Sequence, residues 1–560
     1  MRREVSVVNK KVCSFPILFA LLALVVGTCA VVFPASAQAA PTSTGSITVS
    51  GTVASSYDAY QIFSANVVDG DSDAKIATDL AWASDAVRDA ALPVLHSAGM
   101  PNSQTTAHEA AEWLNIDSHL TSALSAQLAR SLQSSGAVSV ALNAGTTAEL
   151  PCGYWLIVAD DAIAQGEAGT APIMALVGGS AVTVKPKAAT PKVVKHVLED
   201  GTVAWQKAAD ATVADDLYWR LSATVPAGLT AYDTYTVRFV DTMSAGLDPS
   251  KVAASMRVYV AAGADGDFDA VPTDKDGRAG TEPAKGWTDI TAQCGVSVDG
   301  KTFTVRTGDL IAALGGADAF AAGARVVAVY NAPLNSACSH GIAKGNPNEV
   351  YLRYPRSPFA DQSGDAGFTR TPSDDACAYT WDLALTKRGS DGDKPLAGAV
   401  LSIADDRGRT LSADGTWDAE GKATVTTGED GRVTVSGVDS GKLEVRELKA
   451  PKGYTAFEGT RSVTVKAEGL DVDQVVAAKP KLTITAESPL RADSADGSTG
   501  SLEASLINTP TGTPPSITIG GFMPSTGDMA MYAAAAAAVA GAALIVVALL
   551  VKRGGGSHKE

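Results

Sequence analysis

Tyr379-Thr380-Trp381-Asp382-Leu383-Ala384-Leu385-Thr386-Lys387 is the stretch on which the fold is read. Side chains alternate across a β-strand, so Trp381, Leu383, Leu385 and Lys387 line one face. That face is apolar until its last member, an amine. The same period recurs at Leu443, Val445 and Glu447, and at Leu502, Ala504, Leu506 and Asn508. Strands with one apolar face predict a β-sandwich, and an amine, a carboxyl and a carboxamide then point into a single core. Desolvation disfavours charge on both lysine and glutamate. The neutral amine of Lys387 can therefore attack the Asn508 carboxamide, with protonated Glu447 polarising the carbonyl and moving protons as ammonia leaves. The same parity also fits a Lys387–Glu447 ion pair at the core edge, with Asn508 in a terminal turn.

Working outward, this strand opens a region spanning 377–510. The linker at 511–522 follows it, within the Pro- and Thr-rich run Thr509-Pro510-Thr511-Gly512-Thr513-Pro514-Pro515. Such composition keeps a chain extended. Upstream, region 188–376 carries alternating segments such as Tyr235-Thr236-Val237-Arg238-Phe239 and Val326-Val327-Ala328-Val329-Tyr330. Gly/Asp-rich connections separate them, which is an antiparallel β pattern. Region 40–187 begins as a strand at Ser46-Ile47-Thr48-Val49-Ser50, then changes period. From Ala74 to about Ser135 apolar residues recur at three- and four-residue spacing (Ala110, Trp113, Leu120, Leu124, Leu128), broken at Pro101-Asn102. Helices inserted between strands are expected there. Strands return at Tyr154–Val158 and Val182–Val184. The expected fold is mainly β: tandem sandwiches, with helices inserted in the first domain and a transmembrane helix at the C-terminus.

Composition narrows the function. The net charge of −16 excludes nucleic acid and anionic lipid as partners. With aromatics at 6% and 53 glycines, the chain suits several small sandwiches better than one large enzyme core. Cys152, Cys294, Cys338 and Cys377 lie outside the leader, and outside a cell four cysteines tend to pair in one of three ways. Cys294 and Cys338 share one region, so their disulfide is expected. The cysteine spacing fits no zinc site, and the six histidines form no triad, so neither metal, cofactor nor enzymatic activity on an external substrate is implied.

Both ends read as processing segments. Arg2, Arg3, Lys10 and Lys11 precede an apolar stretch from Phe15 to Phe33 and the small residues Ala35-Ser36-Ala37-Gln38-Ala39. This is the order of a secretory signal peptide, 1–39, cleaved after Ala37 or Ala39. An uncleaved membrane anchor is the other reading. At 523–560, Met523-Pro524-Ser525-Thr526-Gly527 precedes an apolar run from Met529 to Val551, then Lys552 and Arg553. That run is long enough for a transmembrane helix, with its basic end in the cytoplasm.

The C-terminal tail resembles the LPxTG sorting signals of sortase substrates, with Met523 in place of leucine. The resemblance implies that a sortase cleaves between Thr526 and Gly527 and passes the threonine carboxylate to an amine, fixing the secreted chain to peptidoglycan. Glu447-Leu448-Lys449-Ala450-Pro451-Lys452-Gly453-Tyr454 resembles the E-x-x-A-P-x-G-Y box of Cna-B or SpaA-like isopeptide domains, with Lys387 and Asn508 in the expected places. This implies immunoglobulin-like, Cna-type sandwiches and a Lys387–Asn508 crosslink assisted by Glu447. Region 188–376 resembles the isopeptide-forming D2 domain of fimbrial shaft proteins at Pro191-Lys192-Val193-Val194-Lys195, Phe239-Val240-Asp241-Thr242-Met243 and Gly345-Asn346-Pro347-Asn348. The resemblance implies a reactive Lys195 with Asp241 as its helper and an asparagine just after the last strand's aromatic residue. Arg356 stands at that place, and Asn348 lies near the strand's start. A salt-bridged Lys195–Asp241–Arg356 cluster is therefore expected instead of a crosslink.

Val182-Thr183-Val184-Lys185-Pro186-Lys187 resembles the V-x-V-Y-P-K pilin motif, with Lys185 in place of tyrosine. Carried over, Lys187 is the amine that accepts the next subunit's Thr526. Together these resemblances imply the shaft subunit of a covalent, wall-anchored pilus, with sortase, identical subunits and peptidoglycan as partners and a host surface ligand as a further one. A monomeric wall-anchored adhesin, or an ancillary pilin at tip or base, is the alternative.

Overall fold

The computed structural model describes residues 43–512, apart from 52, 53, 55, 72, 73, 117, 160–169, 187–189, 227, 228, 264–285, 359, 361, 476 and 477. The expected signal peptide, the sorting pentapeptide Met523–Gly527 with its apolar run, and Lys187 lie outside the described residues. Among those described, no helix is long and apolar enough to cross a membrane.

The chain builds three successive sandwiches. In the first, a sheet ordered Thr147–Pro151, Thr44–Val49, Val182–Val184 faces a second formed by Lys75–Trp82, Ser56–Asp69, Gly153–Ala159 and Ile173–Val177. Three helices, Asp85–Ser97, Ala107–Leu114 and Ser122–Ser135, are inserted between the Lys75–Trp82 and Ser139–Asn143 strands. Each begins at a hydroxyl N-cap, Ser84, Thr106 and Thr121, and Thr106 with Glu109 forms a full capping box. The helical period was expected from Ala74, but Lys75–Trp82 is a strand antiparallel to Ser56–Asp69. The helices pack Leu95, Trp113, Leu124 and Leu128 onto Phe63 and Leu156 of the larger sheet. Ile47, Trp155 and Ile157 fill the space between the two sheets.

The second sandwich has a six-stranded sheet ordered Ala204–Gln206, Val193–Glu199, Tyr218–Thr224, Arg325–Asn331, Arg257–Ala261, Trp287–Asp289. Its partner runs Ala208–Asp210, Asp374–Tyr379, Asn346–Pro355, Arg238–Met243, Thr302–Arg306, Gly295–Asp299. Trp219, Phe239, Phe303, Tyr330 and Leu352 are buried between them. The strand Asp374–Tyr379 belongs to this sheet, and the chain steps into the third sandwich at Thr380.

In the third, Trp381–Gly389 sits between Arg432–Val438 and Ser501–Pro510, facing a sheet that contains Val400–Ala404, Gly441–Lys449 and Thr460–Glu468. The first and last strands, Trp381–Gly389 and Ser501–Pro510, run parallel, and their register pairs Lys387 with Leu506. The alternation predicted from sequence holds here: Trp381, Leu383, Leu385, Val445, Leu502 and Leu506 form the core.

Candidate functional site: buried lysines facing carboxyl and carboxamide groups

In the third sandwich, Lys387 ends the apolar face of the first strand, Asn508 ends that of the last, and Glu447 projects from the opposing sheet. All three are buried. Lys387 Nζ lies 3.9 Å from Glu447 Oε1 and donates to the Leu506 carbonyl at 3.1 Å. Asn508 Nδ2 donates to both Glu447 oxygens, at 2.9 and 3.0 Å, and the Phe457 amide donates to Oε2 at 3.1 Å. Burial pulls the Lys387 amine down to about 8, partly offset by the Glu447 charge. The amine is thus far richer in its nucleophilic form than an exposed lysine. Asn508 Oδ1 is buried without a hydrogen-bond partner among the described residues. An orphaned buried carbonyl costs about 1–3 kcal/mol, so any donor brought to that oxygen during attack meets a ready acceptor.

The second sandwich holds a related cluster with a different layout. Lys195 from Val193–Glu199 and Tyr330 from Arg325–Asn331 share one sheet, while Asp241 and Asn348 come from the other. All four are inaccessible to solvent. Lys195 Nζ donates to Asp241 Oδ2 and, at 2.8 Å, to the Tyr330 hydroxyl. Tyr330 donates to Asp241 Oδ2 at 3.1 Å and accepts from Asn348 Nδ2 at 2.9 Å. Asp241 Oδ1 and Asn348 Oδ1 have no partner among the described residues. Burial lowers the Lys195 amine to about 8 against the pull of Asp241, and burial raises the Asp241 carboxyl against the pull of Lys195. Both shifts drive the pair towards its neutral form.

Of the expected Lys195–Asp241–Arg356 cluster, the Lys195–Asp241 ion pair is formed and Arg356 takes no part in it. Asp241 pairs across the sheet with Val350, and Arg356 lies six residues further on, roughly 20 Å along the strand direction. Asn348, opposite Met243, is the diagonal neighbour of Asp241 on the same face. The strand's start, not its end, reaches the lysine. Tyr330 was not anticipated at all, although its parity with Val326 and Ala328 places a hydroxyl on an inward face.

The expected Cys294–Cys338 disulfide is also not formed: both are free thiols, as are Cys152 and Cys377. Cys294 precedes the edge strand Gly295–Asp299, which lies three strand positions, roughly 14 Å, from Asn346–Pro355. The Ser339 amide binds Asn346 Oδ1 at 2.8 Å, which holds Cys338 beside that distant strand. Disulfide geometry requires Cα atoms within about 7 Å. Of the pilin-like motif, Val182–Val184 pairs in parallel with Thr44–Val49, and Lys185 after it is exposed.

Residues 382–479 match the family model of the SpaA prealbumin-like fold domain. The chain is 30% identical over 143 residues to the trypsin-resistant surface T6 protein of Streptococcus pyogenes serotype M6, which is 24% of this chain and 24% of that protein. The chain thus aligns with about a quarter of the length of that curated relative. Among solved structures, the T6 backbone pilin of serotype M6 S. pyogenes superposes with a TM-score of 0.46 at 17% identity, covering 84% of this chain and 98% of that one. The full-length major pilin SpaD of Corynebacterium diphtheriae gives a TM-score of 0.41 at 16% identity, covering 84% and 98%. The matched residues lie within the third sandwich and include its buried Lys387 and Glu447.

Proposed function

We propose that the chain is the repeating structural subunit of a covalent pilus attached to a Gram-positive cell wall. The observation that carries this reading is the buried Lys387–Glu447–Asn508 cluster inside a SpaA-type domain. A solvent-free amine, carboxyl and carboxamide in that order suit a self-made amide bond between first and last strands. Such a bond removes chain entropy from the unfolded state and cannot be reduced, properties that suit a load-bearing shaft. The chemistry is single-turnover and internal, so the chain is structural and not an enzyme. Lys387 Nζ attacks Asn508 Cγ, Glu447 carries the proton that Nζ must lose to the Nδ2 group it touches, and that group leaves as ammonia. The geometry of Lys195, Asp241 and Asn348 supports a second bond of the same kind in the middle sandwich.

In this reading the leader directs secretion, and a sortase cuts between Thr526 and Gly527. Lys187 of the next subunit takes over the Thr526 carboxylate, which gives an open head-to-tail filament whose last member is joined to peptidoglycan. An immunoblot of enzymatically released cell wall, comparing wild type with Lys187→Ala, tests this. A high-mass ladder lost in the variant supports the shaft role. A single wall-linked species in both strains would reduce the protein to a monomeric adhesin or an ancillary pilin. A ladder that survives would retain the filament and move the linkage to another lysine, Lys185 or Lys192 first.

A further inference from the structure

We propose that Tyr330 is a catalytic residue of bond formation in the middle sandwich, relaying the proton that passes from the Lys195 amine to the departing nitrogen of Asn348. This rests on the reading that Lys195 and Asn348 become linked.

The two clusters differ in one respect that calls for such a residue. In the third sandwich Glu447 touches the leaving nitrogen itself, with both carboxyl oxygens within 3.0 Å of Asn508 Nδ2. In the middle sandwich the carboxyl belongs to an aspartate, one methylene shorter, and among the described residues Asp241 bonds only Lys195 and Tyr330. Asn348 Nδ2 has the Tyr330 hydroxyl as its partner instead, at 2.9 Å. The phenol fills the gap left by the missing methylene. It is the one group bonded to all three of the others, with 2.8 Å to the attacking nitrogen and 2.9 Å to the leaving nitrogen.

A phenol offers one proton and two lone pairs, and here all are in use: Lys195 and Asn348 donate to it, and it donates to Asp241. Burial holds its own proton far above the ordinary tyrosine range, with the Asp241 charge adding to the effect. Tyr330 therefore works as a neutral relay that never accumulates as phenolate.

Transfer from the Lys195 ammonium to Asp241 leaves a neutral amine and a carboxylic acid. The amine forms the Nζ–Cγ bond with Asn348, and the acid stabilises the oxygen that takes up the carbonyl electrons. Nζ still carries one proton too many for an amide. That proton passes to the Tyr330 oxygen as the phenolic proton passes to Nδ2. The Cγ–Nδ2 bond then breaks, ammonia departs, and the phenol is restored. One N–C bond forms, one breaks, and one ammonia leaves.

The test follows the linked Lys195–Asn348 peptide by mass spectrometry in the full-length chain after a pulse of synthesis. Wild type, Tyr330→Phe and the double variant Tyr330→Phe/Asp241→Glu are compared. Loss of the relay should slow the middle bond on the order of a hundredfold, the usual worth of a positioned proton carrier. The Lys387–Asn508 bond of the same molecules should form at the wild-type rate, which controls for folding. The added methylene of Asp241→Glu should restore most of the rate without the phenol, which no merely structural role of Tyr330 would allow. Wild-type speed in Tyr330→Phe, or a double variant no faster than the single, would overturn the relay while leaving the bond itself intact. Absence of the linked peptide in wild type would overturn the bond and the relay together.

Discussion

Lys387 and Asn508 sit on neighbouring parallel strands two residues out of step, with Lys387 paired to Leu506 and Gly389 paired to Asn508. The lysine side chain reaches along its neighbour, Nζ being 3.1 Å from the Leu506 carbonyl, towards the carboxamide ahead of it. A bond there fastens the strand that enters the domain to the strand that leaves it, so tension applied at the two ends passes through the amide and the sheets between carry little of it. In the middle sandwich the equivalent bond would instead run from one sheet to the other, because Lys195 and Asn348 lie in opposite sheets.

Removing the helper should leave the third domain folded but open. In Glu447→Ala the intact mass, corrected for the change of side chain, should be one ammonia higher than wild type, and the peptides holding Lys387 and Asn508 should separate on digestion. The closed loop is on the order of 100 residues, for which a crosslink contributes about 4–5 kcal/mol on loop entropy alone. Chemical denaturation of the domain should show a loss of up to that size, to which the unpaired buried amine adds. A corrected mass that still lacks one ammonia would sink the assignment.

Bond formation should depend on pH through the amine. Lys387 is held to about 8 by burial, so roughly a tenth of it is neutral at pH 7, and the initial rate should fall about tenfold per unit below that. Stability of the unlinked Asn508→Ala variant moves in the matching direction. The native lysine releases its proton more readily than the unfolded one, so ammonium burial costs stability throughout the range below about 8. That cost is relieved as pH rises from about 8 to the ordinary lysine value of 10.5. Denaturant midpoints should therefore increase over this window, and a flat profile would mean the buried amine is not the titrating group.

In the middle domain Asn348, not Arg356, should decide the bond. Asn348→Ala should raise the mass by preventing one ammonia loss, beyond the change of side chain, and Arg356→Ala should leave the linked peptide in place. Tandem mass spectra of the digested variants separate the two. A linked peptide surviving in Asn348→Ala would point to a different electrophile.

The third domain was legible because one rule governs it: period-two alternation carried Trp381 to Lys387, Leu443 to Glu447 and Leu502 to Asn508 onto facing surfaces, and register did the rest. The middle cluster was half legible. Parity put Lys195 and Asp241 inward, but choosing among candidate asparagines needs the antiparallel register that sets Asp241 opposite Val350, and register is a tertiary property. The Lys75–Trp82 strand was read into the helical period because its apolar spacing is too short to separate strand from helix. The cysteines misled for a related reason: membership of one domain says nothing about which sheet edge a residue borders.

The junction between the second and third sandwiches should weaken as pH rises. Arg409 clasps Asp215 through two bonds, at 2.6 and 2.7 Å, and Trp381 and Ser440 both donate to Asp210 Oδ2. The Val213 amide crosses the boundary to the Gly437 carbonyl at 2.9 Å and reports whether the junction is closed. Glu199 lies behind Asp210, accepting its amide proton at 3.1 Å, and burial with the Asp210 charge raises its carboxyl to about 8. A raised carboxyl contributes its full proton-linked stability below the ordinary glutamate value of 4.5 and loses it as pH rises to about 8. Hydrogen exchange at Val213, corrected for its intrinsic pH dependence, should accordingly show falling protection between pH 5 and about 8. Glu199→Gln should reduce that slope, the rest of which comes from Asp439, raised in the same junction by burial and the Asp210 charge. Asp215→Ala should lower protection at every pH, by about 1–3 kcal/mol for a paired, half-buried arginine contact, without altering the slope. Protection that stays constant with pH in wild type would assign the closure of this junction to the arginine clasp alone.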